Sequence, residues 1–166
     1  MIQPSQAAVK EDFDKYVARA TTLIHSPETT GAVQRMLAGG KDPVSKVAAA
    51  TVMIMQRLDA AARTSKIEVQ DTVKVFGAAE IVNLVSELGE ATGVFKKLGT
   101  ELHELALSVA VQDYVKGEVK AGRIDPKKLQ MQMNTDMQKA PPELRKEIED
   151  AQIRIQQTAK KYNGGR

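Results

Sequence analysis

Two consecutive apolar periods of three to four residues, running from Asp42 to Leu88 and joined at Arg63-Thr64-Ser65, constrain this chain more than any other feature. In the first, Val44, Val47, Ala48, Thr51, Ile54, Met55, Leu58, Ala61 and Ala62 fall on one helical stripe, with Lys46, Gln56, Arg57, Asp59 and Arg63 off it. In the second, Val69, Val73, Phe76, Glu80, Ile81, Leu84, Val85 and Leu88 share a stripe broken by one acid. A short connection favours antiparallel neighbours, so the pair predicts a helical hairpin. Ile67, Val69, Val73 and Val75 are β-branched and partly alternate, so a short strand competes with helix at the start of the second arm. The longer period favours helix. This pattern specifies architecture; by its residues alone it names no activity.

A core for this hairpin has to be built almost without aromatic rings. The 166 residues are 4% aromatic, lack Trp and Cys, and carry seven Met. Ala, Val, Ile, Leu and Met suit close helix–helix packing. With no cysteine, disulfides, thiolate metal sites and Cys nucleophiles are excluded. The net charge of +3 comes from 24 basic and 21 acidic residues that are well mixed, too dispersed to argue for nucleic acid. Stacking on single strands needs aromatics and groove readout needs a basic recognition helix; the three Tyr and three Phe are too sparse for the first, no such helix is present for the second, and only diffuse, non-specific DNA contact stays open. Met1 to Gln6 lack the basic-then-apolar pattern of a secretion signal, so synthesis in a cytoplasm is expected. The uncharged run Val47 to Gln56 is about half of the ~20 residues a spanning helix needs. A single-pass membrane protein is not expected, while contact of an oligomer's amphipathic hairpins with a host membrane stays open.

The flanking segments read as further helices. Pro4-Ser5 opens one with Val9, Phe13, Tyr16, Val17, Ala20, Leu23 and Ile24 on its apolar side. Ser26-Pro27 and Asp42-Pro43 carry start signatures, Gly39-Gly40 a stop, and Ser65-x-x-Glu68 a capping box for the second hairpin arm. Gly89, Gly93 and Gly99 mark a helix end and loop, after which Thr100 caps a helix apolar on more than one side, the pattern of burial between several partners. It ends near Gly122, and Asp125-Pro126 starts a short polar helix holding Leu129, Met131, Met133 and Met137. Those Met side chains either cover the edge of the core or form an adaptable contact surface. Ala140-Pro141-Pro142 is the sharpest break. Beyond it Leu144, Ile148, Ala151, Ile155, Thr158 and Tyr162 form a heptad-like seam, too short for an independent coiled coil, that docks on its own domain or on a neighbouring copy. Lys160, Lys161 and Arg166 make a basic tail.

Catalytic constellations are missing. His25 and His103 have no partner at a recognised metal spacing; His103, between Glu101 and Glu104, reads as an exposed ion-pair position. No phosphate loop, nucleophile elbow or His-Glu-x-x-His motif occurs, so neither an enzyme nor a cofactor is expected. Glu80, sharing a stripe with Phe76 and Leu84, needs a salt-bridge partner or a place facing an interface or lumen.

The run Gly40-Lys41-Asp42-Pro43-Val44-Ser45-Lys46-Val47-Ala48 through Leu58-Asp59-Ala60-Ala61, continuing to Val82-Asn83-Leu84-Val85-Ser86-Glu87-Leu88, resembles the small all-helical internal or ejection virion proteins of short-tailed bacteriophages. The similarity covers about a third of the chain and lies in Ala/Val/Met-rich helices, so no functional residue is carried over. It implies a non-enzymatic, self-assembling virion protein, made in the host cytoplasm, contacting other virion proteins, and able to build a conduit for DNA in the host cell envelope. A cytoplasmic helical adaptor or assembly chaperone is the alternative. The expected fold is all-α: a helical bundle over residues 1–139 with its central hairpin at 42–88, a proline elbow at 140–142, and a C-terminal amphipathic helix with basic tail over 143–166. Candidate oligomer-interface residues are Ile54, Leu58, Phe76, Glu80 and Leu84 on the hairpin, with Leu144, Ile148 and Ile155 on the seam.

Overall fold

The computed structural model describes residues 6–39 and 42–164. The helix start expected at Pro4-Ser5, the side chain of Val9, Gly40 of the Gly39-Gly40 stop, and Arg166 of the tail lie outside what is described. Seven helices follow in order: α1 (Gln6–Ile24), α2 (Pro27–Ala38), α3 (Pro43–Thr64), α4 (Asp71–Ala91), α5 (Thr100–Lys120), α6 (Pro126–Lys139) and α7 (Pro142–Gly164). The fold is all-α, with no strand among the described residues.

Local chemistry explains the boundaries. Asp42 caps α3 as its position predicts: its carboxylate accepts from the Ser45 amide at 2.8 Å and the Ser45 hydroxyl at 2.9 Å. Asp125 accepts from the Lys127 amide at 2.9 Å at the start of α6. Ser26 occupies the N-cap of α2, but its hydroxyl turns back to the Leu23 carbonyl at 2.7 Å and caps nothing. Thr100 is the first residue of α5, behind Gly99 at the N-cap. Ser65 corrects the capping-box expectation, because it ends α3 instead of starting α4. There the Lys66 amide donates to the Arg63 carbonyl and the Ile67 amide to the Ala62 carbonyl, a Schellman closure with Lys66 at φ 55°. The same closure ends α4 at Gly93 (φ 69°) and α5 at Gly122 (φ 70°). The β-branched segment beginning at Ile67 is therefore neither strand nor helix until Asp71; it crosses from one helix to the next.

α3 and α4 pack against each other as the expected hairpin, yet each has a larger partner. α3 lies most extensively on α5, and α4 on α1. α5 touches α3, α4 and α7, which accounts for its apolar residues on several sides. The core formed among α1 to α5 includes Tyr16, Ile24, Val33, Leu37, Ile54, Met55, Ile81, Val85 and Tyr114. Ile155, Ala159 and Tyr162 of α7 close it from one side, so the seam docks on its own domain over its second half. Among the described residues α6 has only thin contact with any other helix, although Leu129 reaches the core. The bundle takes in the end of α7, while α6 has only thin contact with it; the proline elbow lies between these two helices.

Candidate functional site

The register of α4 decides where the hairpin's candidate interface residues go. Its buried residues are Val73, Gly77, Ala78, Ile81, Val82, Val85, Ser86 and Gly89. Two of these positions are glycine because a ring lies directly on the backbone there: a Cβ at Gly77 would collide with the Tyr16 ring, and one at Gly89 with the Phe95 ring. Phe76 is consequently 67% exposed, Glu80 is exposed and Leu84 half-buried. This corrects the reading of Glu80 as an acid on the buried face. Ile54 and Leu58 are enclosed by the chain's own helices and offer no surface to a second copy. On α7, Leu144 is exposed, Ile148 half-buried, and Ile155 packed against the core.

A polar cluster lies where the ends of α3 and α5 meet the start of α4. The Tyr114 hydroxyl donates to the Asp59 carboxylate, both residues being buried. Lys74 Nζ lies 3.5 Å from Asp59 and 3.2 Å from Asp71. Buried Glu118 receives the Arg123 guanidinium in a two-point pair, at 2.7 and 2.8 Å. That hydrogen-bonded guanidinium holds the Glu118 carboxyl below the usual carboxylate range, against the opposing effect of burial. Burial pushes the Tyr16 and Tyr114 hydroxyls well above the ordinary phenol value, with the Asp59 charge adding to it. Tyr16 carries a buried hydroxyl with no hydrogen-bond partner. The cluster opens on a cleft of about 500 Å³ lined by Arg63, Lys66, Glu68 and Ile124 among others. Its buried acids are already matched by a phenol, a lysine and an arginine, so its evident chemistry is to tie three helix ends together.

Periodicity alone misplaced this cluster. Its charge puts Asp59 on the expected polar side, yet it stands four residues after Met55 and three before Ala62, in step with the buried stripe. Glu118, one turn beyond Tyr114, carried no signal apart from that spacing. Asp42 has a second role that no local motif announces: it accepts the Tyr162 hydroxyl at 2.7 Å and so ties the end of α7 to the start of α3. Glu104 pairs with Arg154 of α7 at 2.9 Å, while His103 is half-buried with Nε2 unpartnered, which corrects the exposed ion-pair reading.

Besides Ile67 and Phe76, the exposed large apolar side chains lie on the last two helices. Met131 and Met133 of α6 are 69% and 55% exposed, and Leu144 and Ile153 of α7 are 45% and 53% exposed. Met137 is half-buried. Among the described residues no group of three or more His, Asp or Glu could hold a metal ion, and no helix is long and apolar enough to cross a membrane. No protein-family model, no curated protein and no solved structure matches this chain.

Proposed function

We propose that this protein is a non-enzymatic structural component that associates with copies of itself, and that the place of that assembly is a phage virion. One observation carries the self-association: α6 is a helix of 14 residues exposed along nearly its whole length, with Met131 and Met133 open to solvent. Isolated helices of about this length are marginal in water, so a surface from outside the bundle is expected to cover it. The virion setting rests on the resemblance of the central hairpin to short-tailed phage internal proteins. The adaptor reading draws on the same methionines, whose flexible side chains suit partners of varied shape.

Light scattering on the purified chain, with and without liposomes, separates the two. A mass of two or more chains supports self-assembly, and further growth on liposomes supports a conduit in the envelope. A mass of 18.1 kDa at every concentration and indifference to liposomes would transfer the proposal to the adaptor.

A further inference from the structure

We infer that α6 and the first half of α7 form the contact between copies, the α6 of one chain lying against the α7 of another. This rests on the self-assembly reading and names its surface. α6 carries Lys127, Lys128 and Lys139 against one acid, Asp136. The first turns of α7 carry Glu143, Glu147, Glu149 and Asp150 against Arg145 and Lys146. Two neighbouring helices of one chain are therefore oppositely charged, and among the described residues α6 packs on neither α7 nor any other helix extensively. The α7 seam is consumed by the bundle only over its second half, at Ile155, Thr158 and Tyr162. Leu144 stays exposed at its other end, beside exposed acids. Met131 lies on the same side of α6 as Lys127, Lys128 and Lys139, and this basic face is complementary to that surface in both charge and apolar content. Because each copy owns both halves, the exchange is reciprocal: each chain gives its α6 and receives its neighbour's, the self-complementarity that a closed symmetric assembly needs. The hairpin stripe of α3, buried at Ile54 and Leu58, has no such surface to give.

A charge exchange tests this. One variant carries Lys127→Glu and Lys128→Glu, making its α6 acidic; a second carries Glu147→Lys and Glu149→Lys, making its α7 basic. All four side chains are exposed, so helix content by circular dichroism is expected to be unchanged. Each variant alone sets like charges against each other and is expected to fall to the mass of one chain. An equal mixture restores opposite charges at every contact between unlike copies and is expected to recover the wild-type mass, with added salt weakening it. Variants that dissociate but fail to recover on mixing would overturn the exchange, placing the pairing within one chain. A wild-type multimer whose mass neither variant changes would overturn this contact and leave self-assembly standing. A wild-type chain that is monomeric throughout would overturn both.

Discussion

Two tyrosines facing one aspartate differ in what their hydroxyls do. Tyr114 donates to buried Asp59, whereas the Tyr16 hydroxyl is buried without a partner. Tyr114→Phe leaves a buried carboxylate short of a donor and is expected to cost about 1.5–3 kcal/mol in urea unfolding. Tyr16→Phe removes an unmet polar group and is expected to be neutral or stabilising by up to about 1 kcal/mol, read in the same titration. The cluster also sets a pH dependence. The folded-state pKa of Glu118 is depressed, so its stabilisation is present above the ordinary carboxylate value and is lost as pH falls below about 4.5 and through the folded value. Stability measured against pH should drop on that acid limb, and Glu118→Gln should flatten it while lowering stability at neutral pH. For Tyr16 and Tyr114 the shift is upward, because burial disfavours the ionised phenol, so stability is independent of their titration below pH 10.0 and declines above it as the unfolded chain releases its protons. An alkaline limb that Tyr16→Phe leaves unchanged would count against that assignment.

Among the helices, α4 is placed by what its glycines allow. Gly77→Ala would drive a methyl group into the Tyr16 ring, and the expected loss is about 1–3 kcal/mol, seen as a lowered thermal midpoint with helix content retained. A helix-propensity argument predicts the opposite sign, so the experiment discriminates between local preference and packing. At the other end of the bundle Asp42 serves two elements at once. Asp42→Ala removes the α3 cap, worth about 1 kcal/mol, and also the acceptor for Tyr162. Amide exchange in the second half of α7 should therefore quicken along with the first turn of α3; quickening confined to α3 would show that the Tyr162 bond does not hold α7.

The chain as a whole is a bundle of α1 to α5, closed by the end of α7 and flanked by a helix it does not cover. Protection from hydrogen exchange should follow that division. Amides of α3, α4 and α5 are expected to exchange slowly, and those of α6 and the first turns of α7 fast, in dilute solution. Raising the protein concentration should slow α6 specifically if copies cover it, and no concentration dependence there would remove the main support for self-association.

Much of this architecture was legible from local chemistry. Pro27, Pro43 and Pro126 fix helix starts, Gly93 and Gly122 sit where the left-handed backbone ends a helix, and apolar spacing on α1 and α3 marks most of their buried sides. These signals survive because they depend on neighbours a few residues away. The inward side of α4 was legible only in part: Val73, Ile81 and Val85 of the expected stripe are buried, but Tyr16 and Phe95 need glycine beneath them, so Gly77 and Gly89 are buried while Phe76 is exposed and Leu84 half-buried. Buried Asp59 escaped for the same reason, since such an acid is stable only beside partners, here Lys74 and Tyr114, that the chain supplies from 15 and 55 residues away, while Glu118 finds Arg123 five residues on, past the end of its own helix. Residue order is enough to make this chain helical and to set roughly where each helix begins and ends, because capping and backbone conformation are local energies. Tertiary structure alone decided which faces are spent in the core and which stay open on α6 and α7, because burial is settled by packing against distant elements.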